Sequence, residues 1–127
     1  GARRIGHGVR IFEDAEVVAL VKEKGVTLEM CPTSNVQTQA IDNLLEYPFM
    51  MYLDEGIKVT LNTDDMAIER TTLANEFRIM EEYFNLRPEQ ERILLANAVD
   101  AAFTTDAVKN QLREILGLDA VIQSNAA

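Results

Sequence analysis

Ile57-Lys58-Val59-Thr60-Leu61-Asn62-Thr63-Asp64-Asp65-Met66 decides how the chain reads. The first six residues carry the β-branched and alternating character of a short buried strand. Two adjacent carboxylates then follow at the strand end. Burying a charge costs several kcal/mol unless a cation or strong donors meet it, so the pair is poor packing material. A ligand is the simplest thing for it to face. As an alternative from the residues alone, a double Asp after a strand serves as a helix cap or solvated turn. Thr71-Thr72 offers a cap a few residues later, which weakens that alternative.

Upstream, Arg3 to Gly8 reads as a strand that ends in Gly6-His7-Gly8, with the only histidine of the chain between two glycines. Glu13 to Lys24 reads as a helix with Val17, Leu20 and Val21 on one face and Gly25 as its stop. Val26 to Cys31 is a second strand, closed by Pro32 and a polar Thr33-Ser34-Asn35 loop. Pro48 opens a second helix that runs to Glu55, with Gly56 closing it. Beyond the third strand, Thr71 or Thr72 caps a helix carrying Leu73, Phe77, Met80 and Phe84. Two further helices open at Pro88 and near Thr105, the latter ending at Leu116 before Gly117.

Strand alternating with helix is the grammar of βαβ crossovers and a parallel sheet, which makes this an α/β chain. Three strands cannot close a barrel, since the eight-stranded form takes about 250 residues. His7, the Cys31–Asn35 turn and Asp64-Asp65 all follow strands, on the edge where parallel folds place active sites. The expected architecture is three consecutive βα units of a TIM (β/α)8 barrel plus terminal helices, an incomplete barrel. An independent three-stranded domain is the alternative.

Composition bounds the function. At 127 residues the chain is one domain in size, and 1–127 is read as a single domain. A net charge of −9 argues against nucleic acid or an anionic membrane as partner. No apolar run approaches the 18 or so residues that span a bilayer, and no secretory pattern opens the chain. A single cysteine, Cys31, permits no internal disulfide, so a cytoplasmic setting is expected. Cys31 reads as a buried small hydrophobe, since no second histidine exists to activate it. Glu81-Glu82 and Glu89-Gln90-Glu91 read as solvated helix faces, the latter favoured by the helix dipole. The start at Gly1 rather than Met gives the expectation of a piece cut from something longer.

Three segments carry a family resemblance. Arg4-Ile5-Gly6-His7-Gly8, Leu28-Glu29-Met30-Cys31-Pro32-Thr33-Ser34-Asn35 and Val59-Thr60-Leu61-Asn62-Thr63-Asp64-Asp65 occur in order, the last followed by Thr71-Thr72-Leu73 and Glu76-Phe77. Together they resemble the C-terminal portion of adenosine deaminase, around its sixth, seventh and eighth barrel strands. The resemblance implies zinc-dependent hydrolysis of adenosine, a small-molecule purine nucleoside, to inosine and ammonia. It implies Asp64 as a zinc ligand, His7 as the catalytic group that orients the attacking water, and Asp65 as a hydrogen-bond partner of purine N7. Adenine and AMP are alternative substrates.

The family's His-x-His pair and His-Ala-Gly-Glu motif have no counterpart in the sequence. Zinc sites want three or more protein ligands, so the chain alone is expected to be inactive and to bind zinc weakly. The missing N-terminal part of the barrel is one expected partner. Self-association through exposed sheet edges, as a non-catalytic module, is the other. Two departures stand out: Met66 where the family usually has proline, expected to loosen the loop carrying Asp65, and Tyr47 where a histidine often precedes Pro48.

Overall fold

The computed structural model describes residues 1–118. Residues 119–127 of the span read as one domain lie outside the described residues. The order of elements is β1 (Arg4–Gly6), α1 (Ala15–Lys24), β2 (Thr27–Met30), α2 (Pro32–Gln37), α3 (Phe49–Asp54), β3 (Val59–Leu61), α4 (Met66–Glu69), α5 (Leu73–Phe84), α6 (Pro88–Ala101) and α7 (Asp106–Ile115). The three strands form one parallel sheet in the order β1-β2-β3. Ile5 faces Leu28 across the first pair, and Leu28 faces Val59 across the second. The α/β expectation is met.

Leu28, Met30 and Val59 are wholly buried in the sheet. Phe49 and Tyr52 of α3, Met80 of α5 and Leu94 of α6 close over them in one apolar core. Asn97 of α6 donates its side-chain N–H to the Val59 carbonyl at 2.9 Å, fastening that helix to β3. Among the described residues β1 and β3 each have a strand neighbour on one side only. None of the described helices is long and apolar enough to cross a membrane.

Local chemistry sets the element ends. β1 stops at Gly6 rather than Gly8 because His7 and Gly8 take left-handed backbone angles, φ 60° and 65°, which no strand accommodates. A Cβ on Gly8 would lie 2.7 Å from the buried Leu28 Cδ2, so the residue is glycine for space as well as for φ. α1 starts at Ala15 because a 3-10 turn over Val9–Glu13 precedes it and Asp14 caps it, accepting from the amides of Glu16 and Val17. Gly25, at φ 62°, ends that helix. Pro48 precedes α3 as its cap rather than opening it. Thr72 caps α5 by accepting from the Asn75 amide, Thr105 caps α7 in the same way, and Pro88 opens α6.

Some expectations are corrected. On α1, Val21 is buried and Val18 packs beside the core, while Val17 and Leu20 are exposed. The helix leans on the sheet along its 18–21 line, and nothing described covers its 17–20 side. On α5, Met80 is buried, but Leu73 at the first turn is exposed. Gln90 is buried as well, its side chain accepting from the Arg87 amide at 3.0 Å to close the α6 N-terminus. Its neighbour Glu91 has its pKa raised by partial burial first and by the nearby Glu81 carboxyl second, so it is not a freely solvated group.

Candidate active site

The carboxyl ends of β1 and β3 bring His7 and Asp64 together. Both have left-handed backbones, φ 60° and 63°, an uncommon state in which His and Asp are among the better tolerated residues. The His7 amide donates to the Glu29 carbonyl at 2.9 Å, which carries the β1–β2 ladder one residue past the strand before the chain turns. His7 Nε2 lies 3.4 Å from Asp64 Oδ2, with the two side chains 41% and 42% exposed. They are open enough to meet a ligand and close enough to share one.

The intervening element does the aiming. Pro32 to Gln37 form α2 rather than the polar loop expected from Thr33-Ser34-Asn35. Pro32 sits in the first turn, where a missing N–H costs nothing and its fixed φ suits a helix. No glycine interrupts the following residues. Ser34 and Asn35 are weak helix formers, but both are buried and both bond outward from the helix. Ser34 Oγ donates to Asp64 Oδ2 at 2.8 Å. Asn35 Nδ2 lies 3.1 Å from His7 Nδ1, and Tyr47 donates its O–H to Asn35 Oδ1 at 3.1 Å. One helix thus grips both His7, read as catalytic, and Asp64, read as a metal ligand.

Asp65 takes the role that its position also allows. Its Oδ1 accepts from the amides of Ala67 and Ile68, at 2.9 and 2.8 Å, and caps α4. The expectation that the Thr71-Thr72 cap weakens the capping reading of the double Asp is corrected. α4 and α5 are separate helices, broken at Arg70 with φ 54°, and each needs its own cap. Both amides share Oδ1, which leaves Oδ2 for another partner. Met66 opens α4, so the segment after the double Asp is a helical turn and not a loosened loop. Cys31 is buried, and desolvation, with a smaller push from Asp64, raises its thiol pKa to about 12. It is no nucleophile at neutral pH.

The family model described as adenosine deaminase matches residues 1–118. The chain belongs to the adenosine deaminase family. An adenosine deaminase from Clostridium botulinum (strain Okra / Type B1) is 46% identical over 112 residues, 88% of this chain and 33% of that protein. Among solved structures, an adenine deaminase from Arthrobacter aurescens superposes with TM-score 0.85 at 32% identity, covering 98% of this chain and 37% of that one. The N6-methyl-AMP deaminase of Arabidopsis thaliana gives TM-score 0.83 at 30% identity, covering 92% of this chain and 34% of that one. The chain therefore spans about a third of the length of the curated adenosine deaminases it matches.

Within the family frame, the donor set fits one corner of a metal site. Ligating carboxylates are ordinarily held by outer-shell hydrogen bonds, and Ser34 supplies one to Asp64. Among the described residues no three His, Cys, Asp or Glu side chains converge as a complete set. His7 has one ring nitrogen against Asn35. Asp64 fits as a single ligand, and a full site needs donors from elsewhere.

Reading the sequence alone placed Ser34 and Asn35 only within a turn on the active-site edge, with no partner for either, and assigned no role to Tyr47. Their signal was present in part: Pro32 marks a helix start, and Tyr47 departs from the histidine common at its position. The contacts themselves cross long sequence separations, and no local pattern encodes them.

Proposed function

We propose that this chain is the C-terminal part of a zinc-dependent deaminase, comprising about the sixth to eighth βα units of a TIM barrel. The intact protein hydrolyses adenosine to inosine and ammonia. The observation that carries this reading is the approach of His7 to Asp64, 3.4 Å apart where β1 and β3 end. Family membership and the sequence similarity to adenosine deaminases support the substrate.

Zinc, when bound, would supply a hydroxide nucleophile at neutral pH. Asp64 would hold it as one ligand, with Ser34 keeping the carboxylate aimed. His7 would orient the attacking water and stabilise its charge. Asp65 would use Oδ2 to meet purine N7 while Oδ1 keeps α4 in place. The remaining ligands and the acid that protonates the purine would come from the part of the family fold that precedes these units. The chain by itself would then be inactive, and its natural partner would be that remainder of the barrel, seated against the open sheet edges.

The test is a deaminase assay on the full-length protein supplied with zinc, comparing kcat/KM for adenosine, adenine and AMP. Adenosine is expected to lead. The adenine and N6-methyl-AMP deaminases among the fold neighbours make the other 6-aminopurines the relevant competitors. Preference for one of them would reassign the substrate within the same chemistry, and no turnover of any would contradict the proposal.

A further inference from the structure

Neutral imidazole carries one proton, and the hydrogen bond made by one ring nitrogen fixes what the other presents. His7 Nδ1 faces the Asn35 side-chain amide at 3.1 Å, and Nε2 faces Asp64. Which end of the Asn35 amide points at His7 is therefore decisive, and Tyr47 decides it. Asn35 and Tyr47 are both buried, so their polar atoms have no solvent to fall back on. Burial keeps the Tyr47 phenol protonated by holding its pKa well above the usual range. The Tyr47 O–H must then donate, and its acceptor is Asn35 Oδ1 at 3.1 Å. An acceptor oxygen facing Tyr47 leaves the Asn35 NH2 facing His7.

We propose that Asn35, oriented by Tyr47, is a positioning residue that holds His7 in the Nε2–H tautomer, so that the imidazole presents a proton to the site. The chain of donation runs Tyr47 O–H to Asn35 Oδ1, then Asn35 N–H to His7 Nδ1, which leaves His7 Nε2–H facing Asp64 Oδ2. A neutral His7 held this way donates a hydrogen bond and has no lone pair at Nε2 with which to take a proton. For the deaminase reading, on which the catalytic consequence rests, His7 acts as orienter and not as base.

The test is direct because His7 is the only histidine of the chain. In the 15N-labelled 127-residue chain at about pH 8.5, well above the ordinary imidazole pKa of about 6.5, a long-range 1H–15N correlation reads both ring nitrogens. Nε2 is expected at the shift of a protonated nitrogen and Nδ1 at that of a bare one. Asn35→Asp replaces the donor by an acceptor of the same shape, and is expected to move the proton to Nδ1. Tyr47→Phe frees the amide to turn, and is expected to draw the two shifts toward each other. A wild-type spectrum with the proton on Nδ1 would overturn the proposal without need of any variant. An Asn35→Asp spectrum that keeps the wild-type pattern, with a dispersed amide spectrum, would overturn it too. An unchanged Tyr47→Phe spectrum would remove Tyr47 from it. The readout involves neither metal nor substrate, so an inactive full-length protein would sink the deaminase reading and leave this one standing, and the reverse result would do the opposite.

Discussion

The fully buried carboxylate of Glu76 accepts from the Thr33 backbone amide at 3.2 Å. Glu76 lies on α5 and Thr33 in the first turn of α2, so one helix caps another across 43 residues of chain. The other Glu76 oxygen accepts from Thr71 Oγ1 at 2.6 Å, and Asn75 Nδ2 donates to the same hydroxyl at 3.1 Å. This brace sets where α2 begins, and α2 carries the Ser34 and Asn35 that hold Asp64 and His7. The candidate site therefore rests on a buried acid that never touches it.

Glu76→Ala should cost about 2–4 kcal/mol, because it strands a part-buried amide and a buried hydroxyl together. Urea unfolding followed by far-UV circular dichroism measures it. Glu76→Gln, which keeps one acceptor, should lose less. An alanine variant as stable as wild type would show that the brace does not contribute.

Met66→Pro should be accepted and should stabilise the chain by about 0.4–1 kcal/mol. Met66 occupies the first position of α4, and the Asp65 cap takes its hydrogen bonds from Ala67 and Ile68 instead. Asp65 is already extended, at φ −82° and ψ 102°, as a residue before proline must be. The midpoint of thermal unfolding should rise. A fall would mean that the turn differs from this geometry.

Cys31 should resist thiol reagents. With its pKa raised to about 12 and its side chain buried, native protein at pH 7.5 should react at least about a hundredfold more slowly than protein in urea. A disulfide-exchange reagent read by absorbance distinguishes the two rates. Equal rates would place the thiol at the surface.

The setting of Glu91, partly buried and near the Glu81 carboxyl, makes stability fall as pH rises. Burial, then the nearby Glu81 carboxyl, raises the Glu91 pKa above its ordinary 4.5. The folded state therefore holds the Glu91 proton where the unfolded chain releases it. That contribution is complete below the ordinary value and is lost as pH climbs through the raised one. Glu91→Gln should raise the unfolding temperature at pH 7 and leave it nearly unchanged at about pH 3. An unchanged temperature at pH 7 would rule out the coupling.

The parallel three-stranded order was legible because its signals are local: β-branched runs, Gly25 as a stop, and Pro88, Thr72 and Thr105 as helix openers. The pairing of His7 with Asp64 was legible through motif order, since both follow strands of one parallel sheet. What stayed hidden was tertiary. Thr33-Ser34-Asn35 look like loop residues by propensity, and they are helical because Glu76, Asp64 and His7 offer them partners far along the chain. Val17 and Leu20 look like core by periodicity but stand exposed, since periodicity says which residues share a face and not whether anything covers it. Asp65 carried two legible meanings, and the cap is the one its hydrogen bonds display.

The most direct measurement is zinc content alongside adenosine turnover in the full-length protein, wild type against Asp64→Ala. Removing the carboxylate proposed as a zinc ligand should lower zinc occupancy and cut kcat/KM by at least about a hundredfold. Full zinc occupancy and undiminished deamination in the variant would contradict the assignment of Asp64, and with it the reading of His7 beside it.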